Sequence, residues 1–142
     1  MPLSLRIKKL RPDSTMPSYA HPGDAGLDLY AAETTTVAPG QNVAVPTGVA
    51  MEIPDGYVGL IWDKSGLAIK NRLKTLGGVV DSGYRGEVLV GMINLSSEPY
   101  TFEKRHKVAQ MVIQKKEDVR VEEVDELSDT VRGTGGFGST GK

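Results

Sequence analysis

A chain of 142 residues suits one domain with a core of its own. Its 17 Lys and Arg are interspersed with 18 Asp and Glu, and a formal net charge of −1 argues against a broad nucleic-acid footprint. The absence of cysteine excludes a disulfide framework, a thiolate metal site and a thiol nucleophile.

The opening run MPLSLRIKKLRPD lacks the apolar centre of a signal peptide. No apolar run approaches the ~18 residues that cross a bilayer. The expectation is a soluble, cytoplasmic protein without a membrane or direct nucleic-acid partner. Leu3, Leu5 and Ile7 alternate with Ser4, Arg6 and Lys8, the period of a strand. Further strands are predicted over Leu27 to Tyr30, Asn42 to Val45, Val49 to Ile53 and Tyr57 to Trp62. One short helix is predicted over Ser65 to Asn71, with Ser65 as its cap. Strands resume over Val79 to Val80, Val88 to Asn94, Val108 to Ile113 and Val119 to Val124. Pro39-Gly40 and Pro54-Asp55-Gly56 are turn chemistry between them. Short strands with regular breakers and no long amphipathic helix point to an all-β sandwich, jelly roll or barrel.

The last stretch changes character. Glu122, Glu123, Asp125, Glu126 and Asp129 read as a solvated acidic face, and RGTGGFGSTGK follows over residues 132–142. Five glycines in eleven residues cannot build a core and lose much entropy on ordering. Gly133, Gly135 and Gly138 spell GxGxxG, but a dinucleotide fingerprint also needs a preceding strand and a following helix. Gly136 to Lys142 spells GxxxxGK without the Ser/Thr and helix that complete a P-loop. What survives is physical. Glycine amides can form an anion nest, Arg132, Ser139, Thr140 and Lys142 are phosphate donors, and Phe137 can stack.

Five segments in fixed order resemble the trimeric dUTPase family: AGLDLYAA (25–32), DKSGLAIK (63–70), GGVVDSGYRGEV (77–88), KRHKVAQMVI (104–113) and RGTGGFGSTG (132–141). The resemblance covers essentially the whole chain. It implies a single-domain jelly-roll-like fold over residues 1–131, a nucleotide-clamping arm over 132–142, and a homotrimer with shared active sites. It also implies hydrolysis of dUTP to dUMP and pyrophosphate with Mg²⁺.

Residue by residue, the resemblance makes Asp81 the catalytic carboxylate, activating water for in-line attack on the α-phosphorus and holding the sugar 3′-hydroxyl. As a sequence feature alone, Asp81-Ser82-Gly83 reads as a turn that closes a strand. Tyr84 would pack on the deoxyribose where a 2′-hydroxyl would sit, and Gly78, Val79 and Val80 would form a tight hairpin that reads uracil through main-chain groups. Arg85 reads as a structural brace. Asp28 would face the metal through water, while Lys64, Ser65, Gly66 and Gln110 would meet phosphate. Arg132 would pair with the terminal phosphate, Phe137 would stack on uracil, and Gly138, Ser139 and Thr140 would close over the phosphates.

The chain departs from the family's pattern twice. Lys64 stands where arginine is usual, which keeps the charge but loses the bidentate fork. Arg105-His106-Lys107 replaces a common Gly-Asp-Arg, and no role is assigned to those three. His21 and His106 form no ligand pair. The alternatives are a dCTP deaminase-type relative, a nucleotide-binding regulator on the same fold, and a purely structural jelly roll.

Overall fold

The computed structural model describes residues 3–141; Lys142, one of the expected tail donors, lies outside the described residues. The strands are β1 (Arg6–Lys9), β2 (Leu27–Tyr30), β3 (Thr35–Val37), β4 (Asn42–Glu52), β5 (Tyr57–Trp62), β6 (Leu73–Leu76), β7 (Val79–Val80), β8 (Glu87–Asn94), β9 (Tyr100–Phe102) and β10 (Lys107–Lys115). One helix, α1 (Ser65–Asn71), stands between β5 and β6.

The strands form two four-stranded antiparallel sheets, in the orders β1-β4-β8-β6 and β2-β10-β5-β7, plus a β3-β9 ribbon. The period of two explains the sandwich. Along β8, Val88, Val90, Met92 and Asn94 point inward while Leu89 faces out. They meet Leu29, Val45, Met51, Ile61, Phe102, Val108 and Met111 from the other strands in one core. Asn94, the polar member, is fully buried and satisfied: its amide donates to the carbonyls of Val37 and Glu98.

Several expectations are corrected. Asn42 to Val45 and all but the last residue of Val49 to Ile53 belong to one strand, β4, whose pairing with β8 shifts register between Pro46 and Ala50. Proline's missing N–H and Gly48 at φ 68° account for the break that looked like a strand boundary. Val119 to Val124 is not a strand. Val119 and Val121 are exposed with no neighbouring edge to pair with among the described residues, and alternation without a partner makes no sheet. The first strand is displaced to Arg6–Lys9, leaving Leu3 exposed. The ribbon strands β3 and β9 were too short to show a period. In β6, buried Thr75 alternates with exposed Lys74 and Leu76, so the polar threonine hid the pattern.

The link between β6 and β7 positions the site. The two strands lie in different sheets and do not pair, so Gly77-Gly78 is a crossover, and Val79–Val80 beyond it pair with β5. Both glycines have positive φ, 72° and 115°, which an L side chain rarely adopts. Gly78 also has no room for a side chain, because a Cβ there would come 2.8 Å from the Ile61 carbonyl oxygen. Among the described residues, no helix is long and apolar enough to cross a membrane.

Candidate functional site

The expected site residues fall into three groups. The first surrounds the crossover. Gly78, Val79, Val80, Asp81 and Tyr84 line an open cavity of about 250 Å³, together with Ile61, Glu87 and Leu89. Asp81 follows directly on β7 and opens a turn closed by the Tyr84 N–H on its carbonyl at 3.2 Å. The Tyr84 hydroxyl donates to the Glu87 carbonyl at 2.8 Å, which fixes the ring across the loop. Gly86 makes this possible, since a Cβ there would collide with the ring carbons of Tyr84. Arg85 braces the same loop: its guanidinium donates to the Ser82 and Tyr84 carbonyls and lies 3.7 Å from Glu52. Glu87 and Leu89 were missed because they belong to an ordinary strand pattern and reach the pocket only through the crossover.

The second group lies in one row across β2, β10 and β5, where Gln110 stands opposite Asp28 on one side and Trp62 on the other. Asp28 is 2% exposed. Lys64 Nζ donates to Asp28 Oδ1 at 2.6 Å, and Lys107 Nζ lies 3.1 Å from Oδ2. The second contact is an ion pair without hydrogen-bond geometry, which leaves Oδ2 a buried acceptor with no hydrogen-bond partner among the described residues. Burial pushes the Asp28 carboxyl up, but Lys64 and Lys107 together more than offset it and hold the group below the ordinary carboxylate value. The cluster therefore carries one net positive charge beside Ser65 and Gly66. Lys107, given no role above, belongs to it; at the sequence level it lay in a segment that departs from the family pattern.

Ser65 does not cap α1. Lys64 is the N-cap residue, with extended backbone and no side-chain capping bond, so the Ser65 hydroxyl is not used there. The Gln110 amide donates to the Asp63 carbonyl at 2.9 Å. His21 is exposed beside Asp24, and the His106 main chain bonds Ala31 and Glu103; neither ring joins the cluster. Arg105 has φ 74°, a conformation natural to the glycine of the family pattern.

Among the described residues, no group of three or more His, Cys, Asp and Glu could enclose a metal. The donor set still fits Mg²⁺ in one way. This ion keeps several waters and takes most other oxygens from substrate phosphates, so a single carboxylate suffices, and Asp28 Oδ2, which has only the Lys107 ion pair, would have to exchange that pair for a metal-bound water.

The third group is the arm. Hydrogen bonds around Arg132 to Gly141 stay local: Arg132 Nε donates to the Gly135 carbonyl at 2.7 Å, and short turns close at Ser139 and Gly141. Phe137 is fully exposed with φ 49°. The Gly78 carbonyl accepts from the Ile61 N–H and Val80 pairs with Gly59, while Gln110 pairs with Trp62, so the first two groups lie beside successive parts of β5. The arm is joined to neither group by a hydrogen bond among the described residues.

A dUTPase family model matches residues 13–141. This chain belongs to the dUTPase family. It is 48% identical to the deoxyuridine 5′-triphosphate nucleotidohydrolase of Thermobifida fusca, over 96% of this chain and 78% of the relative. It is 43% identical to the Clostridioides difficile enzyme of the same name, over 97% and 98%. A structure of a Staphylococcus bacteriophage 80alpha dUTPase variant with dUpNHpp superposes with a TM-score of 0.91 at 30% identity, covering 98% of this chain and 99% of that one. A phage phi11 dUTPase variant, described with a structural Mg(II) ion, gives a TM-score of 0.81 at 28% identity over 87% and 98%.

Proposed function

We propose that this chain hydrolyses dUTP to dUMP and pyrophosphate. The observation that carries the reading is the crossover pocket, where Asp81 and Tyr84 stand beside the Gly78–Val80 main chain in a member of the dUTPase family. In this reading the Gly78–Val80 main chain reads uracil. Tyr84 donates its hydroxyl hydrogen to the Glu87 carbonyl, which holds the tip of the side chain there and leaves the ring to face the sugar. A 2′-hydroxyl placed there would be crowded against the ring, which disfavours UTP. Asp81 holds the 3′-hydroxyl and takes the proton from a water aligned with the α-phosphorus.

Lys64, Ser65, Gly66 and Gln110 receive the phosphates, helped by the net positive charge around Asp28. Mg²⁺ brought by the triphosphate would supply charge neutralisation there, with Asp28 holding it through water. Arg132 pairs with the terminal phosphate, Phe137 covers the uracil, and Gly138, Ser139 and Thr140 close on the phosphates, excluding water. The unattached arm and the open crossover pocket favour a homotrimer in which each site draws on three copies.

Incubation with dUTP, dCTP and UTP in Mg²⁺, with product analysis, tests the reading. Pyrophosphate and dUMP from dUTP, with little from UTP, is expected. Ammonia from dCTP would move the assignment to a deaminase. Intact dUTP after incubation would remove the activity.

A further inference from the structure

The segment that carries Lys64, Ser65 and Gly66 has little to hold it. Helix α1 has seven residues, none of them buried, and no side-chain cap. A helix this short is marginal without tertiary support. Asp63, immediately before it, makes three ties. Its Oδ1 accepts from the Thr75 N–H at 2.7 Å, its Oδ2 accepts from Lys74 Nζ at 2.6 Å, and its carbonyl accepts from Gln110 Nε2 at 2.9 Å. The first two anchor the segment to β6 in the opposite sheet; the third joins it to β10. Burial pushes the Asp63 carboxyl up, and Lys74 and Thr75 draw it below its ordinary value, so the anchor stays charged at neutral pH.

We propose that Asp63 is a positioning residue for triphosphate binding, setting the Lys64–Gly66 segment and the Gln110 amide in one register through its ties to Thr75, Lys74 and Gln110. The carbonyl uses one of the two N–H groups of the Gln110 amide and leaves the other to donate. Loss of the carboxylate frees the segment from β6 and leaves the Thr75 N–H, on a strand whose residue is nearly buried, without its partner. Asp63 itself touches no phosphate in this account. The proposal rests on the reading of Lys64–Gly66 and Gln110 as phosphate contacts.

The test compares binding of the imido analogue dUpNHpp and of dUMP to the full-length protein by calorimetry, with steady-state kinetics on dUTP. Asp63→Ala is expected to weaken dUpNHpp about tenfold or more and raise KM more than it lowers kcat, while dUMP affinity changes less than about twofold. Asp63→Asn keeps an acceptor for Thr75 and should recover most of the loss. If Asp63→Ala does not fold, Asp63→Ser, whose hydroxyl stands one bond short of the carboxylate oxygens, is read in the same way. Unchanged dUpNHpp affinity, or equal weakening of dUpNHpp and dUMP, would overturn the proposal. Lys64→Ala separates the two readings. Undiminished dUpNHpp affinity in that variant sinks the phosphate assignment itself, whereas a large loss there with none in Asp63→Ala sinks only the role of Asp63.

Discussion

Gly26→Ala should damage catalysis more than folding, and the structure shows by what route. Gly26 is buried in the turn before β2 and its φ is not in the left-handed region, so space rather than conformation requires glycine there. A Cβ at this position would stand 2.9 Å from both Cβ and Cδ of Gln110 and closer still to Oε1. Ordinary contact begins at 3.4 Å, so the Gln110 stem has to retreat by about 0.5 Å and its carboxamide by more. That movement breaks the bond from Gln110 to the Asp63 carbonyl, worth about 0.5–1.5 kcal/mol. With overpacking of about 1–3 kcal/mol in a tight site, the melting temperature should fall by several degrees. A misplacement approaching 1 Å in a positioned group costs up to about 100-fold in rate, so kcat/KM for dUTP should fall roughly 10- to 100-fold. Pyrophosphate release and a thermal melt measure the two effects. Wild-type kcat/KM together with a wild-type melting temperature would refute the reasoning, because the added methyl group has nowhere else to go.

Asp81→Asn should lower kcat by about 10²–10⁴-fold with dUpNHpp affinity within a few-fold of wild type, since an amide cannot take the water's proton; full turnover would remove its role. Truncation after Val131 should leave a folded protein with turnover down by at least about 100-fold, as closure is lost but no core residue is. An unfolded product in circular dichroism would make the arm structural. Asp28 and Asp63 have folded-state carboxyl values below the reference 3.8, so each contributes stability that is present above that value and lost as pH falls through the depressed one. Urea titrations of Asp28→Asn should therefore lose less stability than wild type on going from pH 5 to pH 2; parallel losses would contradict the ion pairing. Arg105→Gly should stabilise the fold by about 0.5–1 kcal/mol, because φ 74° costs arginine more than glycine's added freedom costs in the unfolded chain. A lowered melting temperature would show that the Arg105 side chain has a favourable contact that outweighs its backbone strain.

Local chemistry made much of this molecule legible in its sequence. Strands with one inward face, such as Leu27–Tyr30 and Tyr57–Trp62, announce themselves by period, and the proline-glycine turns between strands do so by residue type. What escaped depends on partners. Nothing in Val119 to Val124 says that no edge lies beside it. Thr75 looks like an exposed residue until β8 covers it. That Gly77-Gly78 carries the chain from one sheet to the other is not visible until the sheets of β6 and β7 are known. The site divides in the same way. Asp81 and Tyr84 share one short motif, so their proximity could be anticipated. Glu87, Leu89, Asp63 and Lys107 enter only through cross-strand placement.

The two departures from the family pattern, at Lys64 and at Lys107, converge on one carboxylate. An arginine presents a planar fork and can serve both oxygens of Asp28 from one side chain; a lysine is a point charge and serves one. Here the oxygens are divided, Oδ1 to Lys64 at 2.6 Å and Oδ2 to Lys107 at 3.1 Å. Charge is conserved by this division but hydrogen-bond capacity is not, and the shortfall is visible at Oδ2, which has an ion pair but no hydrogen-bond partner among the described residues. The two positions are therefore coupled, and restoring arginine at one alone would crowd a carboxylate that the other lysine already occupies. Lys64→Arg and Lys107→Arg should each weaken dUpNHpp binding, and the double variant should lose less than the sum of the two. Additive effects of the two substitutions would show that each lysine acts on the phosphates independently of Asp28.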